Sequence, residues 1–310
     1  FDYEKHKYRY DMKTEEVTKL DTVIHKGFGE SWKKYSPDST YILFAQRHNL
    51  YVMGNKDKGK DTTIVQLTTD GEKYFSYFKE EEEVGTDTFP AAPVAVWMKD
   101  SKKVYALRED TRHVDELFLV DVMETPRPKV KTYKYSMAGD QKLEKYKLTV
   151  IDVETKEVKT IDIDHWQDQY VDVLYTSKDG NKIYFGRKTR AFDEQEVCVA
   201  DLTTGEVKVL IHEIDKPFMD YKMANIMFLN DGKDIIYRSE RTGWGHYYLY
   251  DNEGNFKHAI TSGEWVAGPC SDIDTVGRTL YFYALGKDEN IDPYYYTPCK
   301  VNIDKPESLT

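Results

Sequence analysis

The sequence is poor in the residues that indicate a cross-linked, metal-bound or membrane-spanning protein. Its three cysteines, Cys198, Cys270 and Cys299, are an odd number and lie far apart, which disfavours a disulfide framework. No stretch approaches the roughly 18 apolar residues that a membrane-spanning helix needs. No His-x-x-x-His or Cys-x-x-Cys spacing occurs, so we expect neither a metal nor a cofactor.

Positive charge is also in short supply. Lysine and arginine number 44 against 55 aspartates and glutamates, so the formal net charge is −11. A surface of this sign repels phosphate backbones and anionic lipid headgroups, whereas it attracts cations. We therefore expect no nucleic-acid partner and no membrane insertion.

Tyrosine, in contrast, is abundant, and short turns recur between apolar segments. The 25 tyrosines outnumber the 18 glycines, and tyrosine favours strands because its ring packs on a pleated surface. Aspartate and glycine turn residues precede apolar runs in a way that predicts hairpins. These turns centre on Asp38, Asp100, Asp179, Asp231 and, more weakly, Gly277.

A second kind of hairpin follows the first. It reads as an apolar strand, an aspartate, a polar turn and a Val-rich strand, at 10–17, 150–158, 199–207 and 249–256. Two hairpins in series make a four-stranded antiparallel sheet, and spacings of roughly 45 to 80 residues suit the blades of a β-propeller. We therefore predict an all-β chain, a single β-propeller domain over 1–310. The basic segment from Pro126 to Lys145 reads as an excursion within one blade.

Several segments resemble the N-terminal propeller of the dipeptidyl peptidase IV family. Ser239–Asp251 resembles a characteristic blade, as does Arg47–Val52 followed by Gln66–Thr68, and 132–139 resembles the family's linking segment. The order and spacing of these pieces also match, from Tyr8 to Val301. The resemblance implies serine exopeptidases, in which an irregular eight-bladed propeller covers a C-terminal α/β-hydrolase domain.

Against that family pattern, the chain reads as a fragment of about five full blades plus part of another. It contains no Gly-x-Ser-x-Gly nucleophile elbow, so we expect no catalytic residue in it and a triad beyond Thr310. The implied partners are the C-terminal hydrolase domain of the same protein, a peptide with a free N-terminus and, as an open case, a second copy in a homodimer. A leader could have preceded Phe1, which favours export to a bacterial periplasm or envelope, with the cytoplasm as the alternative.

The resemblance also implies a substrate-binding site. Members of the family hold the free ammonium of a peptide with paired glutamates in an Asp-Trp-x-x-Glu-Glu-Glu-Val motif, and 78–84 matches its Glu-Glu-Glu-Val part. This match places the ammonium pair at Glu82 and Glu83, beside Glu81. The Asp-Trp is missing here, and four consecutive glutamates are also typical of a solvated turn.

Other interpretations stay open. The chain could be a stand-alone propeller that acts as a protein-binding or assembly module, or a glycan-processing propeller with inward carboxylates. The group Asp162, Asp164, His165 and Asp168 fits no standard metal spacing and reads as a loop. Trp244 and Tyr247–Tyr250 read as blade core, and Cys198 and Cys270 as small buried apolar residues.

Overall fold

The structure is a computed structural model that describes residues 2–3, 6–22, 31–79, 90–220, 223 and 225–310. These residues form 24 strands and three single-turn 3-10 helices, the latter at Lys56–Lys58, Asn230–Gly232 and Pro306–Ser308. The first twelve strands are β1 (Asp2–Tyr3), β2 (His6–Asp11), β3 (Glu16–Thr22), β4 (Lys34–Tyr35), β5 (Tyr41–Gln46), β6 (Asn49–Gly54), β7 (Val65–Gln66), β8 (Val96–Trp97), β9 (Lys103–Asp110), β10 (Glu116–Asp121), β11 (Lys129–Lys134) and β12 (Lys145–Asp152). The remaining strands are β13 (Val158–Ile161), β14 (Gln169–Thr176), β15 (Lys182–Thr189), β16 (Glu194–Asp201), β17 (Val207–Ile214), β18 (Ile226–Leu229), β19 (Asp234–Ser239), β20 (His246–Asp251), β21 (Phe256–Ala259), β22 (Val266–Asp274), β23 (Thr279–Leu285) and β24 (Thr297–Asn302).

Neighbouring strands pair antiparallel into sheets that follow one another along the chain. Blade 1 is β1–β3, blade 2 is β4–β7, blade 3 is β8, β9, β12 and β13, blade 4 is β14–β17, blade 5 is β18–β21 and blade 6 is β22–β24. The predicted fold class is confirmed, an all-β β-propeller built from four-stranded antiparallel blades. Counting the described residues alone, blades 2 to 5 have four strands each, and blades 1 and 6 have three. At the edge of blade 6, Thr310 exchanges two backbone hydrogen bonds with Lys300, of 2.9 and 3.0 Å.

The predicted turns are confirmed, and two of them share one device. Asp38 accepts hydrogen bonds from the hydroxyl of Ser36 (2.6 Å) and the backbone N–H of Thr40 (2.9 Å). Asp179 does the same with Ser177 (2.5 Å) and Asn181 (3.0 Å). The Ser36 hydroxyl is the main cause that lowers the pKa of Asp38 to about 2, so this turn is held by an ionised carboxylate.

The excursion within blade 3 is a two-stranded ribbon that begins at Glu116, ten residues before the predicted start at Pro126. β10 and β11 pair over their whole lengths, from Glu116↔Lys134 to Asp121↔Lys129. In the described part of the chain, neither strand pairs with a third. The ribbon interrupts the blade between β9 and β12, which nevertheless pair with each other from Asp110↔Lys145 to Lys103↔Asp152.

Blade 5 packs face to face with blades 4 and 6 of the same unit, which explains why its central strands are apolar on both sides. In β20, Tyr248 and Tyr250 pack in an apolar cluster with blade 4, whereas Tyr247 and Leu249 pack in another with blade 6. Successive side chains of a strand point to opposite faces, so a sheet covered on both faces needs no alternation of polar residues. All four side chains are buried, which confirms Tyr247–Tyr250 as blade core.

Trp244, Cys198 and Cys270 were also expected to be buried, and the structure fully confirms this for Cys198 alone. Trp244 was expected in the blade core, but it is 40% exposed, because it lies in the turn between β19 and β20 rather than on a strand. Cys198 is buried and Cys270 half-buried, and both are free thiols, as is Cys299. Burial raises the pKa of the Cys198 thiol to about 12, so it stays protonated and unreactive at neutral pH.

Contacts divide the chain into two compact units, Phe1–Val94 and Ala95–Thr310. The core of the first unit is best seen in blade 2, where Leu43, Ala45 and Leu50 have no exposed surface. The second unit holds blades 3 to 6. Among the described residues, no helix has the length and apolar character needed to cross a membrane.

Candidate functional site

The predicted ammonium-binding glutamates, Glu81, Glu82 and Glu83, lie outside the described residues. The chain on either side of them is well anchored in the first unit. Phe78 is buried, forms an isolated β-bridge with Pro93 and stacks on the ring of His48 at 5.2 Å. The described residues on the two sides of the predicted site, Phe78 and Pro93, are therefore paired with each other.

The described residues form an acidic cleft in the second unit, at one end of the boundary between blades 4 and 5. Its volume is about 20 Å³, which is room for about one water molecule. Blade 4 contributes β16 and β17, blade 5 contributes β19, and Asp215, Met219 and Asp220 follow β17. The lining residues are Gln195, Glu213, Asp215, Met219, Asp220, Arg238, Ser239 and Glu240.

A β-bulge places Glu213 at this boundary. The pairing of β16 and β17 shifts register so that Cys198 faces Val209 while Val197 faces Ile211. Beyond the bulge, Glu213 lies opposite Gln195, two residues along the same face as Ile211. Ile211 is buried in the apolar cluster with blade 5, so Glu213 continues an apolar face with a carboxylate.

The Glu213 carboxylate meets blade 5 through its two oxygens, which have different surroundings. Oε1 accepts a hydrogen bond of 2.7 Å from the hydroxyl of Ser239. Oε2 is buried and accepts no hydrogen bond from the described residues. The guanidinium of Arg241 comes within 3.7 Å of Oε2, a longer separation than a hydrogen bond. Arg241 instead donates from Nε to Ser239 (2.9 Å) and lies over the ring of Tyr248, 4.3 Å from its centroid.

Arg238 is the cation that lines the cleft, and its donors are directed at other acceptors. Nε donates to the carbonyl of Ala267 in blade 6 (2.7 Å), and Nη1 and Nη2 both donate to Oε1 of Glu240 (3.2 Å each). Gly245 makes room for this side chain, because a Cβ there would lie 1.9 Å from Nη2. Arg238 is 2% exposed and therefore belongs to the wall of the cleft.

A buried phenol lies behind the same wall. The hydroxyl of Tyr237 accepts a short hydrogen bond from Nε2 of Gln195. Burial, and then the nearby Glu213 carboxylate, raise the pKa of Tyr237 well above its usual value. This phenol is therefore neutral at physiological pH, and it leaves the negative charge of the cleft unchanged.

Ion pairs and hydrogen bonds hold most of this arrangement together. Glu213 accepts from Ser239 and lies beside the guanidinium of Arg241, and Glu240 accepts from Arg238. Within the described ranges, no three His, Cys, Asp or Glu side chains converge as metal ligands would.

The loop at Asp162, Asp164, His165 and Asp168 joins blade 3 to blade 4. Buried Arg187 fastens it, with Nη1 donating to the backbone carbonyls of Ile163 (3.2 Å) and Asp164 (3.1 Å). Nε of Arg187 donates to Glu196 at 2.6 Å. The carboxylate of Asp168 lies 3.9 Å from Arg190. These contacts account for the loop as a structural connection.

The chain is similar to known proteins over its whole length. The sequence profile of the dipeptidyl peptidase IV (DPP IV) N-terminal region matches residues 1–310. The chain belongs to this family. It is 22% identical, over 94% of its length, to a probable dipeptidyl peptidase 4 of Emericella nidulans, of which it covers 40%. Over 36% of its length it is 28% identical to dipeptidyl peptidase 4 of Arthroderma otae, of which it covers 15%.

Two solved structures share its fold. The crystal structure of dipeptidyl peptidase 4 from Porphyromonas gingivalis superposes with a TM-score of 0.71 at 20% identity, covering 98% of this chain and 41% of that one. A putative dipeptidyl aminopeptidase IV from Bacteroides ovatus gives 0.65 at 18% identity, covering 99% of this chain and 43% of that one. The chain thus spans about two fifths of these structures and of the Emericella relative.

Proposed function

We propose that this chain is the substrate-selecting propeller of a dipeptidyl peptidase, and that it recognises the free N-terminus of a peptide. Membership in the DPP IV N-terminal family over residues 1–310 is the observation that carries the proposal. A C-terminal α/β-hydrolase domain of the same protein would cleave the peptide bond, and the propeller would restrict access to it.

Glu82 and Glu83, beside Glu81, would supply the ammonium site. Adjacent carboxylates repel each other, and an incoming –NH3+ relieves this repulsion while donating charge-assisted hydrogen bonds. Each such bond contributes about 1.5–3 kcal/mol, so two favour a free over a blocked N-terminus by roughly 10²- to 10⁴-fold. A fixed ammonium also sets which peptide bond reaches the nucleophile, so that cleavage falls two residues into the peptide.

The test is a kinetic comparison in the complete protein that carries this chain. Glu82→Gln and Glu83→Gln should each raise KM and lower kcat/KM on Ala-Pro-p-nitroanilide by about tenfold or more, because each removes a charged acceptor. Glu80→Gln is the matched control, since it removes the same charge from the same run, and it should stay within about twofold of the parent. If the two variants also stay within twofold, the assignment of the ammonium site is wrong.

A second function, self-association, is favoured by the ribbon of β10 and β11. One face of the ribbon carries Phe118, Val120 and Val130, which are 65%, 60% and 63% exposed. Met123, near the tip, is 84% exposed. A two-stranded ribbon is marginally stable in water on its own, and a contiguous exposed apolar patch of this kind marks an interaction surface.

Charge favours a second copy of the chain as the partner. The ribbon segment 116–134 carries three acidic and four basic side chains, so its net charge is +1 in a chain of net charge −11. The ribbon is therefore attracted to the acidic body of another copy, while its apolar face loses contact with water. We propose a homodimer in which the ribbon contributes to the interface.

Analytical ultracentrifugation tests the dimer. The parent should sediment as a dimer, and Phe118→Asp should shift it to the monomer because a charge on the apolar face opposes burial. Val276→Asp is the control, since Val276 is 93% exposed in a turn of blade 6. A monomeric parent, or a Phe118→Asp variant that still dimerises like the control, would exclude this interface.

A further inference from the structure

We propose that His246 makes the connection between blades 5 and 6 sensitive to acid: its neutral imidazole fixes this connection, and protonation releases it. The connection consists of residues 260–265, which lead from β21 to β22 within the second unit. A conformational response of this kind goes beyond the proposed function, which concerns peptide recognition. It uses none of the residues of the predicted ammonium site.

The ring of His246, at the start of β20, is buried against the connection. The residue is 1% exposed, and its ring meets that of Trp265 edge to face, with the centroids 5.0 Å apart. Nε2 lies 2.9 Å from the carbonyl oxygen of Gly263, and Nδ1 lies 3.0 Å from the hydroxyl oxygen of Thr261. One imidazole therefore contacts three residues of the connection.

These partners specify a neutral ring with its proton on Nε2. The Gly263 carbonyl can only accept, so Nε2 must donate to it, and Nδ1 is left to accept the proton of the Thr261 hydroxyl. The oxygen of that hydroxyl also accepts from the backbone N–H of Tyr247 at 3.1 Å. The hydrogen bonds between β20 and the connection are therefore complete only while the imidazole is uncharged.

A second proton on the ring disrupts these hydrogen bonds. Nδ1 then becomes a donor that faces the Thr261 hydroxyl, and the hydroxyl proton loses its acceptor. Thr261 is 2% exposed, so water does not readily replace that acceptor. Because a buried donor without a partner is costly, the protonated state favours an opened connection.

The charges around the ring also bear on its protonation. The titratable side chains on the surrounding elements are Arg238, Glu240, Arg241 and Tyr247 of blade 5, Glu213 of blade 4, Glu264 of the connection and Cys270 of β22. The carboxylates of Glu240 and Glu213 accept from Arg238 and Ser239, and Glu264 is exposed. Burial lowers the pKa of His246 below its ordinary 6.5; the bond to Gly263 partly offsets this effect, and the Arg238 guanidinium adds to it.

The direction of the response follows from this lowered pKa. The contribution of His246 to stability is present above the unfolded pKa of about 6.5 and is lost as the pH falls through the folded pKa. The connection should therefore open more often in mild acid than at neutral pH.

Hydrogen exchange of backbone amides, corrected for the intrinsic pH dependence of exchange, tests this response in the parent chain. The N–H groups of Ile260 and Ala267 report on the connection, because they donate to the carbonyls of Tyr247 (2.8 Å) and Gly245 (2.7 Å). From about pH 7.5 to about pH 5.5 their protection from exchange should fall about fivefold or more, since uptake of one proton changes it by at most about tenfold per pH unit. Protection in β15 and β16 of blade 4 should change by less than about twofold.

Two variants assign the response to His246. His246→Gln cannot titrate, yet its amide can still donate to Gly263 and accept from Thr261, so the fall in protection should shrink to within about twofold. His258→Gln is the matched control at the same boundary. Nε2 of His258 donates to the carbonyl of Ile303 at 2.8 Å, and it can do so whether the ring is neutral or charged. This control should keep the response of the parent.

Several results would overturn the proposal. Protection of Ile260 and Ala267 that is constant with pH, or that falls no further than protection in blade 4, excludes an acid response of the connection. An equal fall in His246→Gln and the parent, or an equal loss of the response in His258→Gln, shows that His246 is not its source. If His246→Gln does not fold, the comparison with blade 4 in the parent still decides. None of these results affects the kinetics of Glu82→Gln and Glu83→Gln.

Discussion

Blade 5 has two boundaries, and they are built differently. Toward blade 6, two of its polar side chains end on backbone carbonyls: Arg238 donates to Ala267, and the hydroxyl of Tyr247 donates to Gly268 at 2.7 Å. Toward blade 4, the corresponding end of the boundary holds the Glu213 carboxylate and the acidic cleft. Both boundaries have large apolar clusters along the rest of their lengths.

The difference shows two ways of joining one blade to its neighbours. Toward blade 6, the donors of Arg238 and Tyr247 are satisfied by backbone carbonyls. Toward blade 4, the Glu213 carboxylate accepts from Ser239 and lies 3.7 Å from the guanidinium of Arg241. This second contact depends on the charge of Glu213, because removing one member of a buried charged group leaves the other uncompensated.

The largest expected effect is on stability, and it tests the boundary between blades 5 and 6. Phe282 is 1% exposed and stacks with Trp265 at 6.1 Å in the cluster between blades 5 and 6. Phe282→Ala should lower the free energy of unfolding by about 3–5 kcal/mol, because it leaves a cavity in a close-packed core. Urea denaturation measures this change. A loss below about 1 kcal/mol would mean that this boundary is not tightly packed.

A smaller loss of stability is expected at the boundary between blades 4 and 5. Ser239→Ala removes the donor to Oε1 of Glu213 and should cost about 1.5–3 kcal/mol, the range for a hydrogen bond to a charged group. In a Glu213→Gln background the same substitution should cost less, because the charged acceptor is gone. A double-mutant cycle in urea denaturation gives the coupling energy. Additive effects of the two changes would contradict a direct Ser239–Glu213 bond.

The smallest effect concerns how the stability of the boundary between blades 5 and 6 depends on pH. Arg278 in blade 6 donates to Asp304 (2.8 Å) and to Asp234 of blade 5 (3.0 Å). This guanidinium lowers the pKa of Asp304 below its ordinary 3.8. A lowered folded-state pKa gives stability that is present above the unfolded pKa and lost as the pH falls through the folded pKa.

Arg278→Ala should therefore lower the melting temperature at pH 7, by an amount that corresponds to about 1 kcal/mol or less because the pair is partly solvated. Below about pH 3.8 the gap between variant and parent should narrow, since the carboxylates become protonated in both. Thermal melts at several pH values measure the gap. A gap that is constant with pH would show that Arg278 acts through packing alone.

The parts of the fold that depend on local chemistry were predictable from the sequence. Turns such as those at Asp38 and Asp179 are fixed by hydrogen bonds within a few residues, so their residue types reveal them. The later part of the excursion in blade 3 was also predicted, because its prolines and basic residues interrupt the pattern of strands, whereas its first strand β10 was missed. Trp244 was misjudged, since the residues that follow it are core while it belongs to the turn.

The acidic cleft could not be predicted in the same way. Glu213 and Ser239 lie on different blades, and nothing in either neighbourhood indicates the other. The bulge between β16 and β17 changes which residues of β17 face blade 5, and one extra residue reverses that assignment along the rest of the strand. One signal was available: a glutamate that follows the apolar run of β17 two residues after Ile211.

The account depends most on the claim that the propeller selects peptides by their amino end. The most direct measurement is the ratio of kcat/KM for Ala-Pro-p-nitroanilide to that for its N-acetylated form, in the complete protein that carries this chain. The account predicts a ratio of roughly 10² to 10⁴ in favour of the free amine, from two charge-assisted hydrogen bonds. A ratio within about twofold of one would contradict it, since no ammonium site contributing that energy could then exist.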